Sequence, residues 1–235
     1  VRIRNLQWWD AVKGVEDFPS SLDVFHFHPL AMISNFMGLG TKIVDGDLVT
    51  RLGDLIAHGE GSYESYNSGT KNVPNSKVGF SFRNPPAGTV TGKTIDEILA
   101  TEPMDGTNRN RMFATGKYQT VFATLRAAKA KLGLTGAEKY DAELQERVFR
   151  EYLLYKAGDG ALGRLVIEGK GTVEDAQMAA AQEWASIATP KGRKIASGVI
   201  SDGNLSYYHS EANKANVEST PAVRALLLEI VESKQ

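Results

Sequence analysis

The spacing of apolar residues constrains the fold of this chain more than any other feature. From Asp47 onward, Leu48, Leu52, Leu55 and Ile56 recur every three to four residues, which places them on one face of an α-helix. Later segments show the same period or helix-capping residues. They predict helices over residues 94–100, 117–132, 137–157 and 172–188, and a last helix opening at Thr220 with Pro221 in its first turn. We therefore predict a mainly α fold.

Residues 70–95, between the first two predicted helices, have a different character. They contain Pro74, Pro85 and Pro86, several glycines and the short run KVGFSF. Because proline removes a backbone donor and glycine disfavours regular structure, we expect loops and at most a small β-hairpin lobe here.

The N-terminal segment also differs from the rest of the chain. It carries two tryptophans and the aromatic-rich run DVFHFHPLAM, and it ends in glycines. We predict a connector over residues 1–40 that packs on one domain over residues 41–235. His26 and His28 would share one face of a strand, but no third ligand is evident, so we predict no metal site.

The composition argues against several classes of function. The chain has no cysteine, which excludes disulfides and thiolate metal sites. Its formal net charge of −1 lacks the basic excess typical of nucleic-acid binders. No apolar run reaches the length needed to cross a bilayer, so we predict no membrane span.

Glu60 is the residue on which the functional interpretation depends. On a helix it continues the apolar stripe of Leu52 and Ile56, so its carboxyl group should be partly withdrawn from water. Desolvation raises the pKa of a carboxyl group, and a neutral carboxylic acid is the general acid that glycosidic oxygen needs. We expect Gly59 and Gly61 to leave room for a bulky polymer.

Two motifs carry a resemblance to a known group of enzymes. GEGSYESYNSGT, residues 59–70, and FATGKYQT, residues 113–120, resemble the lysozyme-like muramidase domains of phage lysins and type VI secretion effectors. The resemblance spans roughly residues 43–220 and implies a lysozyme-like fold in which Glu60 is the catalytic acid. It also implies four substrate-binding residues, which are Tyr66, Asn67, Tyr118 and Gln119.

A second carboxylate is expected because glycosidases commonly use two. Glu64, four residues beyond Glu60, is the predicted partner. Asp105 is a weaker alternative, since a turn residue before Gly106 is the simpler interpretation. Arg109 and Arg111 are further candidates, for contact with a peptide carboxylate, although surface charges are the simpler interpretation.

The resemblance implies a peptidoglycan hydrolase that cleaves between N-acetylmuramic acid and N-acetylglucosamine without a cofactor. It further implies a secreted antibacterial domain that acts in the periplasm of a target cell, with a secretion-apparatus spike and an immunity protein as partners. Two alternatives stay open. One is a lytic transglycosylase on the same fold, and the other is a non-catalytic glycan-binding module.

Overall fold

A computed structural model describes residues 45–73, 79–209 and 214–234, with side chains from residue 48 onward. The predicted connector, with His26 and His28, lies outside these residues. Within them the chain is mainly helical with a small antiparallel sheet, which confirms the predicted class. None of the helices in this part combines the length and the apolar character needed to cross a membrane.

The helices hold far more of the described chain than the strands do. In order they are α1 Asp45–Glu60, α2 Ile95–Leu99, α3 Phe122–Lys131, α4 Ala142–Val148, α5 Leu154–Lys156, α6 Ala161–Glu168, α7 Val173–Glu183 and α8 Ser219–Ser233. A π-helical turn, Phe149–Leu153, joins α4 to α5, and a short 3-10 turn, Gly158–Gly160, precedes α6.

The core lies where α1, α6, α7 and α8 pack together. Leu52, Ile56 and Leu227 are completely buried there, and each such side chain contributes about 1.5–3 kcal/mol. Ala176 and Ala180 of α7 are also completely buried, and their small side chains allow neighbouring helices to approach closely. The core thus fixes the C-terminal end of α1 against the segment that follows α7.

The sheet is larger than the single hairpin predicted from the sequence. Its strands are β1 Tyr66–Asn67, β2 Ser81–Phe82, β3 Ala114–Thr115 and β4 Thr120–Val121. They pair antiparallel in the order β2-β1-β3-β4. Each strand has only two residues, too few to show an alternating pattern, which explains why the sequence did not reveal them.

The predicted helix over residues 117–132 begins too early, because the tight turn that follows β3 and then β4 occupy its first part. Gly116 has a φ of +76° and Gln119 a φ of +46°, and the Gln119 N–H donates to the Gly116 carbonyl at 3.1 Å. This left-handed turn reverses the chain, so α3 starts only at Phe122.

The predicted helix over residues 172–188 starts correctly but ends too late. Thr172 caps it by accepting a hydrogen bond from the Asp175 N–H, as expected. It ends at Glu183, because Trp184 takes an extended conformation with φ −117° and ψ 119°. The sequence analysis also missed α6, which is short and bounded by left-handed Gly160 and Gly169.

Candidate active site

Glu60 is the last residue of α1, where the chain leaves the helix for the loop that leads to β1. Leu52 and Ile56 lie two turns and one turn earlier and are completely buried, so Glu60 continues an apolar stripe as predicted. Glu60 itself is partly buried. The Gly61 N–H donates to the Ala57 carbonyl at 2.8 Å and closes the helix.

The carboxyl group of Glu60 is held by a serine from a distant part of the chain. The Ser186 hydroxyl donates to Glu60 Oε1 at 2.7 Å, and Ser186 is only 5% exposed. Because α7 stops at Glu183, the following segment turns back and brings Ser186 to the end of α1. The hydrogen bond therefore depends on the early end of α7.

The pKa of Glu60 is raised above its ordinary value, and burial is the main cause. The hydrogen bond from Ser186 opposes this effect, because it stabilises the carboxylate. The negative charge of Glu183 raises the pKa of Glu60, and the positive charge of Arg83 lowers it. The net result is a carboxyl group that keeps its proton to a higher pH than an exposed glutamate.

Glu183 is a second carboxylate of the site that the sequence analysis missed. Its side chain is 11% exposed, and Lys156 Nζ lies 2.7 Å from its Oε2. Lys156 is itself held by a hydrogen bond of 2.9 Å to Thr124 Oγ1. The apolar stripe of Ala176 and Ala180 continues into Glu183 one turn later, so the pattern that identified Glu60 was present here too.

Glu64, the predicted catalytic partner, has both oxygens engaged in the fold. Oε1 accepts from the Gly88 N–H at 2.8 Å and from the Thr91 hydroxyl, and Oε2 accepts from the Val90 N–H at 2.7 Å. Burial alone would raise the pKa of Glu64, but these hydrogen bonds outweigh it and lower the pKa. This geometry corresponds to a carboxylate that fastens the 88–91 loop, and it favours a structural role over a catalytic one.

Asn67 and Gln119 are brought together, as the resemblance implied, but they bind each other. Asn67 Nδ2 donates to Gln119 Oε1 at 2.9 Å, and Asn67 is only 2% exposed. Gln119 Nε2 donates in turn to the Gly116 carbonyl at 3.0 Å. Asn67 therefore has very little accessible surface, whereas Gln119 is partly exposed.

Tyr66 and Tyr118, the two tyrosines predicted to bind substrate, are largely buried in the structure. Tyr66 is 8% exposed, and its ring stacks on Phe82 with centroids 4.6 Å apart. Tyr118 is 2% exposed and stacks on Phe149 at 4.3 Å. Little of either side chain is accessible, and both rings pack mainly against an aromatic neighbour.

A partly buried polar network extends from the turn between β3 and β4. Lys117 Nζ bonds to Glu146 Oε1 at 2.8 Å and to Asp54 Oδ1 at 2.7 Å. Tyr63 and Tyr118 donate their hydroxyls to Glu146 at 2.8 and 3.0 Å. Burial alone would lower the pKa of Lys117, but its two carboxylate partners raise it to about 12. Through Tyr63, the network connects the loop that follows Glu60 to α1, to α4 and to the turn between β3 and β4.

Gly59 and Gly61 do not open space for a polymer, contrary to the expectation from the sequence. A Cβ at Gly59 would lie 2.8 Å from the Ser186 Cβ, and one at Gly61 would lie 2.7 Å from the Ser65 Cβ. Both glycines are instead needed because the protein packs closely against them. Because these glycines have no side chains, Ser186 can approach Gly59 and Ser65 can approach Gly61.

Asp105 and Arg109, two other charged candidates, make contacts with residues other than Glu60. Asp105 is exposed and accepts a hydrogen bond from Asn72 at 2.6 Å. Arg109 is exposed, with its guanidinium 4.5 Å from the centroid of the Phe80 ring. Both arrangements are those of ordinary surface residues.

A small cavity of about 230 Å³ lies at the C-terminal end of α1, and Glu60 itself is not among its lining residues. It is lined by Ala57, His58, Gly61, Ser62, Arg83 and Asn84. The first four residues belong to the end of α1 and the following turn, and the last two follow β2. Within the described ranges, no group of three or more His, Cys, Asp or Glu residues is arranged to hold a metal ion.

Comparison with known proteins gave no relative: no family model, no curated protein and no solved structure matches the chain. The chemistry of the site must therefore be deduced from its geometry. That geometry combines a carboxyl group with a raised pKa, a serine that fixes one of its oxygens, and a small cavity lined by residues close to Glu60 in the chain.

Proposed function

We propose that this chain is a peptidoglycan glycosidase with Glu60 as its general acid. The observation that carries the proposal is the environment of Glu60, whose partial burial raises the pKa of a carboxyl group at the end of α1, where the neighbouring residues His58 and Gly61 line a small cavity. Glycoside cleavage needs such an acid, because the leaving sugar oxygen must be protonated as the bond breaks.

The hydrogen bond from Ser186 suggests which carboxyl oxygen carries the proton. Ser186 donates to Oε1, so the acidic proton is best carried on Oε2. Oε2 would protonate the glycosidic oxygen while the bond to the anomeric carbon breaks and an oxocarbenium-like state develops. Water would then add to the anomeric carbon and lose a proton, and Glu60 would be protonated again for the next cycle.

Glu183 has an electrostatic role in this proposal. Its charge disfavours ionisation of Glu60 and so helps to keep the acid protonated. Its ion pair with Lys156 holds it in place and leaves it poorly suited to activate water. Glu64, with both oxygens engaged in the 88–91 loop, is not part of the mechanism that we propose.

A lytic transglycosylase is the second candidate, and one observation favours it. The two carboxylates discussed with Glu60 are engaged elsewhere, Glu64 in the 88–91 loop and Glu183 with Lys156. If Glu60 is the carboxyl group that acts on the substrate, it would serve first as the acid and then as the base, as a lytic transglycosylase requires. The 6-hydroxyl of the muramic acid would then attack in place of water.

The wider setting rests on the two resembling motifs. We propose that the helical body with its small sheet is a lysozyme-like fold and that it acts on glycan strands in the periplasm of a target bacterium. A secretion-apparatus spike would deliver it, and an immunity protein would block it.

Digestion of purified peptidoglycan by the wild type and by Glu60→Gln tests the proposed function. We expect soluble fragments from the wild type and a loss of at least about 100-fold in rate in Glu60→Gln, the lower range for a general acid. Glu151→Gln, an exposed glutamate paired with Arg147, is the matched control and should retain full activity.

Mass spectrometry of the fragments separates the two reactions. Reducing muramic acid ends indicate hydrolysis, and anhydro-muramic acid ends indicate the transglycosylase. A wild type that binds glycan but releases no fragment would identify a non-catalytic binding module. Full activity in Glu60→Gln would refute the assignment of the acid.

A further inference from the structure

Glu146 and Lys117 form a largely buried ion pair that stability alone does not explain. Lys117 Nζ lies 2.8 Å from Glu146 Oε1, and the side chains of Lys117 and Glu146 are 8% and 21% exposed. Removing two charges from water costs free energy, and replacing such a pair by apolar residues is often neutral or even stabilising. The pair is better explained by the arrangement of the chain that it fixes.

That arrangement includes the loop that follows Glu60. The Tyr63 hydroxyl, three residues beyond Glu60, donates to Glu146 Oε1 at 2.8 Å. Gln145, the neighbour of Glu146 in α4, is completely buried and donates from Nε2 to the Tyr63 carbonyl at 3.0 Å. Helix α4 therefore holds Tyr63 by its main chain through Gln145 and by its side chain through Glu146.

The group that accepts the Tyr63 hydroxyl is a charged carboxylate. Burial alone would raise the pKa of Glu146, but the hydrogen bonds from Lys117, Tyr63 and Tyr118 and the charge of Lys117 outweigh it and lower the pKa. A hydrogen bond to an ionised acceptor is roughly twice as strong as one between neutral groups. Glu146→Gln should therefore loosen the Tyr63 side chain, while Gln145 continues to hold the main chain.

The position of Glu60 depends on this loop because Glu60 is the last residue of α1. The hydrogen bond from Ser186 holds one carboxyl oxygen, but it does not fix the backbone from which the side chain projects. Lys117 Nζ also bonds to Asp54 Oδ1 at 2.7 Å, six residues before Glu60. The network thus contacts the chain on both sides of Glu60, at Asp54 and at Tyr63.

We propose that Glu146 is a positioning residue for Glu60, which acts by fixing the Tyr63 side chain and with it the loop at the end of α1. The inference rests on the proposed glycosidase function. A general acid must come within hydrogen-bond distance of the glycosidic oxygen, and a displacement of about 1 Å can cost about 100-fold in rate. Loss of the contact should therefore slow bond cleavage and leave the binding of glycan unchanged.

Steady-state kinetics on soluble, uncrosslinked peptidoglycan strands test the proposal with Tyr63→Phe, Glu146→Gln and the double variant. We expect each single variant to lower kcat by about 10- to 100-fold and to change KM by less than about twofold. The double variant should be no slower than the slower single variant, because both changes break the same contact. Should Glu146→Gln fold poorly, Tyr63→Phe decides alone, because it keeps the aromatic ring and the ion pair.

Tyr140→Phe is the matched control. It also removes a tyrosine hydroxyl from the interior, but that hydroxyl donates to Thr120 Oγ1 at 3.0 Å, on β4 and outside the loop that follows Glu60. We expect a small loss of stability and an unchanged kcat, whereas a purely structural role of the network would make Tyr63→Phe behave in the same way.

The proposal is overturned if Tyr63→Phe keeps the wild-type kcat, or if it raises KM alone, which would identify a direct contact with glycan. It is also overturned if Tyr140→Phe lowers kcat as much as Tyr63→Phe, or if the effects of Tyr63→Phe and Glu146→Gln multiply in the double variant. Failure of the glycosidase function has a different signature, because the wild type itself would then release no fragment.

Discussion

Replacement of Ser186 by alanine tests whether the protonation of Glu60 governs activity. The change removes the hydroxyl that donates to Glu60 Oε1 at 2.7 Å, and it keeps the Cβ that packs against Gly59. Because that hydrogen bond stabilises the carboxylate, its loss raises the pKa of Glu60 further. A general acid works in its protonated form, so the alkaline limb of the pH profile should move to higher pH.

The size of the movement follows from the energy of the hydrogen bond. A bond to a charged group contributes about 1.5–3 kcal/mol. We take the lower end, about 1.5 kcal/mol, because Glu60 is only partly buried and water can replace the lost donor. That energy corresponds to about a tenfold change in the acid dissociation constant, since 1.36 kcal/mol equals one pH unit. The limb should therefore move upward by about one pH unit.

The assay is kcat/KM for solubilisation of peptidoglycan across the pH range, with carbon-13 titration of the Glu60 carboxyl as an independent measurement. Ser219→Ala is the matched control. Ser219 is 3% exposed, and its hydroxyl has no hydrogen-bond partner among the described residues. It should leave the limb unchanged. A limb that stays in place in Ser186→Ala while the Glu60 titration moves would refute Glu60 as the group that controls the rate.

Three further changes give distinct outcomes. Glu183→Gln should move the alkaline limb to lower pH, opposite to Ser186→Ala, because a negative charge that raises the pKa of Glu60 is removed; an upward movement would contradict this. Glu64→Gln should cost about 2–3 kcal/mol in denaturant unfolding, because backbone donors of the 88–91 loop lose a charged acceptor. Its folded fraction should keep full activity, whereas a complete loss would restore Glu64 as a catalytic group. Gly59→Ala should destabilise the protein by about 1–3 kcal/mol and lower activity, because the new Cβ would lie 2.8 Å from the Ser186 Cβ; unchanged activity and stability would show that the packing is not tight.

Local sequence patterns predicted the helical class and the position of Glu60. The stripe of Leu52 and Ile56 placed the carboxyl group at the edge of the core, and the structure confirms that placement. The start of the helix predicted over residues 94–100 was likewise encoded locally, because the structure shows a capping box there whose two hydrogen bonds join Thr94 and Glu97, three residues apart. Interactions within one or two turns of helix are encoded by neighbouring residues, so periodicity and capping rules suffice to predict them.

Tertiary structure alone decided what surrounds Glu60. Ser186 lies 126 positions away in the chain, and it reaches the acid only because α7 ends at Glu183. Packing also buried Tyr118, which had been predicted to contact the substrate. It likewise brought Glu64, the predicted catalytic partner, into hydrogen bonds with the 88–91 loop. Desolvation, charge and hydrogen-bond partners depend on which distant segments pack together. The sequence therefore determined where the carboxyl group stands, and only the packed chain determined its pKa and its partners.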